Sequence, residues 1–318
     1  MKKVRNLRFI IAVLVWSLIL PATVSFSDET TAKSETVSTE APSSDPTGSS
    51  EKTEESESGK KKQKKIKNGF DEAGNFHDSK GDIIHKSTIR NLLEVALKPV
   101  GKTMYVWGGG WNRVETGEIG VSPKWEAFFN QQTPAYNYRN TRYQTNNGLD
   151  CSGFVGWVLY NTFNTESGHG GYVMLAQNMA KTYAGWGWGE YTSARPFTDY
   201  QAGDIMSLAA GHVYIVIGKC SDGSVVLVHS SPKGVMINGT VNRKGKKKSK
   251  AWKLARKNMK KYFPAWYAKY PDVSRGASYL RNYSRMRWYV GTQNSVMSDP
   301  EGLRSRNAQQ VLRMIFHE

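Results

Sequence analysis

The chain has 318 residues and is strongly basic, with 44 lysines and arginines against 27 aspartates and glutamates, which gives a net charge of +17. Hydrophobic residues make up 39%, and 10 tryptophans and 16 tyrosines supply ample side-chain volume for the core of one large domain. The two cysteines exclude more than one intramolecular disulfide.

The N-terminus has the pattern of a secretory signal. Four basic residues lie within the first eight positions, and an apolar run follows from Phe9 to Leu20. Small residues between Pro21 and Ser27 then offer a cleavage site. We therefore predict that residues 1–26 are a signal peptide and that the protein is secreted or associated with the cell envelope. An uncleaved N-terminal membrane anchor stays open, because the cleavage site is not ideal.

Residues 27–81 are predicted to be a disordered tether. Residues 28–58 are rich in Ser, Thr, Glu and Pro and hold 9 acidic residues and 2 lysines, and a lysine-rich run at 60–67 reverses the sign. Such a composition cannot bury enough apolar surface to order itself. The remaining residues, 59–318, carry 38 basic and 18 acidic side chains, which favours polyanionic partners. For an exported protein we expect anionic cell-envelope polymers rather than nucleic acid; plain solubility is the alternative.

The first helix is predicted to follow Ser87 or Thr88, either of which can cap it. Apolar residues recur at helical spacing over 89–97, and Pro99 lies just beyond the last of them. An aromatic and glycine-rich stretch, "TMYVWGGGW", occupies 103–111. Residues 111–147 are aromatic and polar with no clear period.

A second helix is predicted from Cys151 to Phe163, with Asp150 as a natural N-cap before an apolar stripe. A further helix is predicted for about 172–183 and a turn into a strand for 200–208. Alternating residues predict strands over 211–218 and 223–231, joined as a hairpin. Helix is predicted over 251–270 and 307–316, and a strand over 279–291. Helices followed by antiparallel strands predict an α+β fold, with the helix after Asp150 packed on the sheet.

The position of Cys151 suits a reactive thiol. At a helix N-terminus the backbone N–H groups point outward, where they favour a thiolate and can hold an oxyanion. A thiol nucleophile also needs a base, and the chain has six histidines. His212 starts one strand of the predicted hairpin and His229 ends the other, so antiparallel pairing can bring them to one face.

The turn of the hairpin decides whether the two histidines meet. A two-residue turn at Asp222-Gly223 would pair His229 with Val216, which lies roughly 13 Å along the strand from His212. The two imidazoles can therefore meet only if the hairpin has a looser loop or a bulge.

Five ordered motifs resemble those of the NlpC-type family of bacterial cell-wall cysteine endopeptidases, compact relatives of the papain fold. They are "YVWGG" at 105–109, "DCSGFV" at 150–155, "AGDIM" at 202–206, "GHVYIVIG" at 211–218 and "VHSSP" at 228–232. Each motif alone is weak, whereas all five in this order are specific.

The resemblance implies a papain-like α+β peptidase domain over residues 82–318. In that domain Cys151 is the nucleophile, His212 is the base and His229 orients the base. Tyr105 borders the nucleophile and helps to hold the oxyanion or the substrate. The two residues that flank the nucleophile, Asp150 and Ser152, bind the amino end of the peptide. The family cleaves peptidoglycan stem peptides, so we expect an exported cysteine endopeptidase that acts through a thioester, with no cofactor or metal.

The chain departs from the family in several places. It has insertions near 111–146 and 233–275, and no cell-wall-binding repeats precede the domain. We expect the insertions to shape the substrate groove. The alternative for the aromatic residues of the first insertion is a satellite core.

Other interpretations stay open from the residues alone. Cys151 and Cys220 could form a disulfide, and Cys151 with the two histidines could bind zinc, although a fourth ligand is not adjacent in sequence. The histidines could also be structural, Tyr105 a core aromatic and Asp150 only a cap. Two rival functions remain: a related thiol amidase or acyltransferase on another substrate, and a non-catalytic envelope-binding protein.

Overall fold

The computed structural model describes residues 69–70, 75–77, 83–111, 120–163, 172–291 and 295–318, with side chains from residue 87 onward. All of these residues fall within one unit of the chain, 62–318. The predicted signal peptide lies outside the described residues, as does most of the predicted tether.

A small antiparallel sheet precedes the first helix. Its strands are β1 (Gly69–Phe70), β2 (Asn75–His77) and β3 (Ile83–Lys86), paired in that order. Strands β1 and β2 lie within residues 27–81, the segment that the sequence predicts as a tether. Strands of two or three residues are too short for an alternating pattern to be visible in the sequence.

A seven-stranded sheet forms the centre of the fold, in the order β4-β10-β5-β6-β7-β8-β9. All neighbouring strands are antiparallel except β8 and β9. The mixed α+β architecture that the sequence predicts is therefore confirmed. The strands are β4 (Gly189–Thr192), β5 (Ile205–Leu208), β6 (His212–Lys219), β7 (Val225–Ser231), β8 (Gly234–Thr240), β9 (Ser274–Arg275) and β10 (Tyr283–Trp288).

Eight α-helices are present in the described part of the chain. They are α1 (Ile89–Leu97), α2 (Pro123–Gln131), α3 (Cys151–Phe163), α4 (Met179–Gly185), α5 (Lys250–Tyr262), α6 (Pro264–Lys269), α7 (Ser278–Arg281) and α8 (Ala308–Ile315). The helix at 151–163 has the predicted bounds, and α1 begins after its predicted cap, Thr88, whose hydroxyl accepts from the Asn91 amide at 2.9 Å.

Several elements differ from the sequence-based expectation. The helix expected at 172–183 is the shorter α4, and the region 251–270 breaks at Pro264 into two helices, since proline cannot continue the hydrogen-bond ladder. The strand expected from 279 begins only at Tyr283. Helix α2 lies in the segment 111–147, in which the apolar residues show no helical period. The period is missing because only two side chains of this helix, Trp125 and Phe129, are buried.

Side chains of β6 alternate between two buried clusters. Val213, Ile215 and Ile217 join the larger core, which also contains residues of α1, α3 and α5. Tyr214 and Val216 join a smaller cluster on the other side of the strand. Because β6 is buried on both faces, it is a rigid support for the residues at its ends. No helix among the described residues is long and apolar enough to cross a membrane.

The "AGDIM" motif contributes a buried ion pair rather than a site residue. Asp204 is 1% exposed, and its carboxylate accepts from Arg287 Nε at 2.9 Å and Nη2 at 2.7 Å. It also accepts from the Gln201 amide, which closes the turn before β5. This ion pair joins β10 to the turn that positions β5 and β6.

Breaking this ion pair should destabilise the whole domain. We expect Arg287→Met to lower the free energy of unfolding by about 3–5 kcal/mol, because it leaves a buried carboxylate without its charge partner. Urea unfolding of the variant, beside Arg281→Met as a control at an exposed arginine, measures the effect. Equal stability of the two variants would contradict this assignment.

Candidate active site

Asp150 caps α3 and fixes the position of Cys151. Its Oδ1 accepts from the Gly153 amide at 2.7 Å and from the Ser152 hydroxyl at 2.8 Å, and its Oδ2 accepts from the Gly108 amide at 3.1 Å. All three hydrogen bonds come from groups of the protein itself, so both carboxylate oxygens already have donors before any substrate binds. Its position as an N-cap is confirmed, and recognition of a peptide amino end stays a prediction.

The glycines of the "YVWGG" and "DCSGFV" motifs allow two backbones to touch. A methyl group on Gly153 would lie 1.9 Å from the carbonyl oxygen of Gly109. The first turn of α3 and the loop before residue 111 therefore pack with no side chain between them. The Asp150 amide also donates to the Gly109 carbonyl at 3.0 Å. This close contact explains why each of the two motifs has a glycine at this point, Gly109 in one and Gly153 in the other.

The residue before the Asp150 cap of α3 is held against β7. On the β7 side, Ser230 Oγ donates to the Leu149 carbonyl at 2.6 Å. This bond fixes the residue two positions before Cys151 against the end of β7.

The Cys151 sulfur contacts the backbone on both sides of His212. The thiol lies 4.0 Å from the carbonyl oxygen of Gly211, and the Val213 amide also hydrogen-bonds to the sulfur. The structure thus brings the predicted nucleophile to the residue predicted as its base.

His212 and His229 form a direct hydrogen bond. His212 Nε2 lies 2.7 Å from His229 Nδ1. Continuing the register beyond Ile215 and Val228 places His229 opposite Tyr214, so His212 is its diagonal neighbour on the same face. Since Nε2 of His212 is used in this contact, Nδ1 is the nitrogen left for the thiol.

A bulge and a wider turn give this register. The pairing shifts by one residue between Val216 and Gly218. The turn runs from Cys220 to Gly223, whose φ of +78° suits a glycine, and the Cys220 amide donates to the Ser224 carbonyl at 2.8 Å. The tight two-residue turn considered from the sequence is therefore absent from this hairpin, and the bulge that the histidine pair required is present.

Three residues that the sequence did not suggest surround the histidine pair. His229 Nε2 lies 2.9 Å from Asn238 Oδ1, and Arg275 Nε donates to the same nitrogen at 3.2 Å. The Tyr279 ring packs edge-on against both imidazoles. A signal for Asn238 existed, because it is a polar residue in the otherwise apolar run "GVMING", but β8 itself was not predicted.

Cys151 and His229 are buried, His212 is partly exposed, and all three groups are in their neutral forms. Burial and, to a smaller extent, the neighbouring Asp150 carboxylate together raise the pKa of the Cys151 thiol to about 12, against the lowering by backbone N–H groups. Burial also lowers the pKa of His212 to about 3, aided by the positive charge of Arg275. The N–H groups at the start of α3 do lower the thiol pKa, as expected, but loss of solvation outweighs them.

A cleft of about 540 Å³ opens above the thiol. Four of its side chains are large, apolar and exposed by 42–70%. Its only acidic lining residue is Asp150, already engaged. The cleft is lined by Tyr105, Trp107, Gly108, Trp111, Tyr143, Thr145, Asp150, Cys151, Ser152, Leu175, Ala176, Gln177 and Gly211.

Tyr105 and Ser152 both border this cleft, as predicted. Tyr105 is 6% exposed, and burial together with the nearby Cys151 raises the pKa of its phenol. Ser152 accepts from Trp111 Nε1 at 3.1 Å and donates to Asp150, so its hydroxyl holds the Trp111 ring at the rim. The roles of both residues toward a substrate stay predictions.

The first insertion serves both of the purposes considered from the sequence. Trp125, Phe129 and Tyr136 are buried and form part of the core. Trp111 and Tyr143 instead line the cleft, and Tyr143 is held at a φ of +64°, unusual for a residue other than glycine. The insertion therefore contributes to the core and to the shape of the groove.

Both cysteines are free thiols, so the disulfide considered from the sequence is absent. Cys220 lies in the hairpin turn, away from the His212 end of β6. Among the described residues, no group of three or more His, Cys, Asp and Glu side chains is placed to bind a metal ion.

No family model, curated protein or solved structure matches this chain. The resemblance of the five motifs to the NlpC-type family stays a prediction.

Burial of the histidines predicts acid-sensitive folding. Both imidazoles have a pKa below the ordinary value of 6.5, that of His212 at about 3. Between pH 6.5 and about 3, the histidines of the unfolded chain bind protons, whereas those of the native site do not. The stabilisation is therefore full above pH 6.5 and is lost as the pH falls toward 3, by up to about 1.4 kcal/mol per pH unit for each group.

We expect His229→Asn to lose less stability than the wild type when the pH falls from about 7 to about 4, because Asn does not titrate. Urea unfolding at several pH values measures this slope. His317→Asn, at an exposed histidine, is the control and should leave the slope unchanged. The same slope in His229→Asn and wild type would contradict the neutral, buried pair.

Proposed function

We propose that this protein is an exported cysteine endopeptidase with a papain-like catalytic domain, which hydrolyses peptide bonds in peptidoglycan stem peptides. The observation that supports this most is the convergence of Cys151, His212 and His229. The thiol lies at the start of a capped helix, touches the backbone on both sides of His212, and His212 bonds to His229. Nucleophile, base and orienting group are the three parts that thiol catalysis needs.

The reaction begins from neutral groups. Since burial opposes both the thiolate and the imidazolium, His212 takes the thiol proton as the sulfur attacks the peptide carbonyl, rather than in a preformed ion pair. The sulfur–carbon bond forms, and the carbonyl oxygen becomes an oxyanion. His212 then gives its proton to the leaving amine as the peptide bond breaks. Water hydrolyses the thioester and restores the thiol.

The oxyanion is stabilised by the first N–H groups of α3. The backbone N–H groups of Cys151 and Ser152 lower the pKa of the thiol, so they favour negative charge at this position. Donors fixed by a capped helix need no reorganisation when charge develops. The Tyr105 phenol, close enough to Cys151 to interact electrostatically, is a second candidate donor.

The cleft and the basic surface suggest how substrate is held. The exposed aromatic rim offers flat apolar contact to the part of the substrate beyond the scissile bond. Residues 243–261 hold eleven basic residues, all exposed, and no acidic residue. This basic segment suits anionic cell-envelope polymers, with secretion or envelope association as the proposed location.

One second function has a specific observation in its favour. A largely apolar cleft with no free charged side chain would also suit an acyl group, so a thiol amidase or acyltransferase is the alternative. Such an enzyme would use the same thiol and differ only in the products.

Peptide release from purified peptidoglycan tests the proposal. We expect residues 62–318 to release stem-peptide fragments, and Cys151→Ala to release none, because the nucleophile is removed while the fold stays. Mass spectrometry of the products names the bond. Cys220→Ala is the matched control and should retain full activity. Release by Cys151→Ala at the wild-type rate would refute thiol catalysis, and no release by the wild type would point to an acyl substrate or a binding protein.

Binding to whole peptidoglycan that carries anionic polymers tests the basic segment. We expect charge reversal of Lys247, Lys248 and Lys253 to glutamate to reduce binding at low salt at least tenfold, with the difference vanishing at high salt as charges are screened. Reversal of three other exposed lysines, 98, 124 and 181, is the control for net charge. Equal losses in the two triple variants would contradict a local binding surface.

A further inference from the structure

A buried asparagine lies beyond the histidine pair. Asn238, on β8, is 0% exposed, and its Oδ1 is 2.9 Å from His229 Nε2. It pairs across the strands with Leu227, two residues from His229, so it reaches the imidazole diagonally. Its Nδ2 is buried without a hydrogen-bond partner among the described residues. The Asn238 amide is therefore costly to bury. Among the described residues, its only side-chain hydrogen bond is the one to His229.

The position of the proton in the hydrogen bond between His229 and Asn238 determines which group donates and which accepts in the other contacts. A neutral imidazole carries one N–H and one lone pair. If His229 donates from Nε2 to Asn238 Oδ1, its Nδ1 must accept from His212 Nε2. His212 then keeps its lone pair at Nδ1, the only ring nitrogen left for the thiol of Cys151. In this arrangement His212 can act as a base.

The opposite arrangement is inactive, and Arg275 favours it. If His229 Nε2 accepts from Arg275 Nε, at 3.2 Å, the His229 proton moves to Nδ1 and is donated to His212 Nε2. The proton of His212 then lies on Nδ1, and the imidazole cannot take another from the thiol. Arg275 is held in place without this contact, because its Nη atoms donate to the Ser274 carbonyl and the Ser231 hydroxyl, both at 2.7 Å. Only its Nε–H gives up an acceptor when His229 Nε2 carries the proton.

We propose that Asn238 is a positioning residue that sets the tautomer of His229 and, through it, keeps Nδ1 of His212 free to accept the thiol proton. This inference rests on the proposed thiol catalysis. Asn238 does not border the cleft. It acts through two imidazoles, as the acceptor at the end of a chain that runs from Cys151 through His212 and His229.

The tautomers can be observed without any substrate. In protein labelled with ¹⁵N at histidine, NMR should show wild-type His212 and His229 both neutral and both protonated at Nε2. In Asn238→Leu, of similar volume but with no acceptor, we expect both protons on Nδ1. Asn238→Asp restores an acceptor and should restore the wild-type pattern. A wild-type His212 protonated at Nδ1 would overturn the proposal, whether or not Asn238→Leu folds.

The rate of alkylation of Cys151 by iodoacetamide gives the second readout. We expect Asn238→Leu to slow it at least tenfold at neutral pH and Asn238→Asp to recover it, while Arg275→Gln does not slow it. Unchanged alkylation and peptide release in a folded Asn238→Leu would refute the positioning role while peptidase activity stands. The predicted tautomers and alkylation rates without peptide release would instead support Asn238 and reject the peptidase.

Discussion

The site depends on one close contact, in which the first turn of α3 packs directly against the loop that contains Gly109. Two backbones touch there because Gly109 and Gly153 have no side chains, and Asp150 joins both through its carboxylate and amide. The same contact positions Cys151 relative to the backbone around His212. A larger residue at either glycine would move the helix, the loop and the sulfur together.

Burial sets the chemistry of the site that this contact creates. The thiol and both imidazoles are neutral because little water reaches them, and the nearby guanidinium of Arg275 opposes a further positive charge. A dry site also strengthens each fixed N–H group toward an oxyanion. Proton position then matters more than net charge, so the hydrogen bonds around His229 have a direct effect on reactivity.

The sequence predicted local features well and long-range contacts poorly. The bounds of α3, the cap of α1 and the pair of predicted strands at 211–231 could be found because each depends on neighbouring residues. The contacts of Asn238 and Arg275 with His229 could not, since both residues lie on strands that were not predicted. Asn238 stands out as a polar residue in an apolar run, but nothing local marks His229 as its partner. The register of His212 with His229 depended on a bulge near Ile217, which the apolar pattern does not reveal.

The proposed function requires that Cys151 becomes acylated by a stem peptide during turnover. The most direct measurement is intact-protein mass spectrometry of the enzyme quenched with acid during turnover of peptidoglycan. We predict a mass increase that equals a stem-peptide acyl group, maps to Cys151 and is removed by hydroxylamine, as expected of a thioester. Sustained turnover with Cys151 unmodified, or an adduct only at Cys220, would contradict the claim.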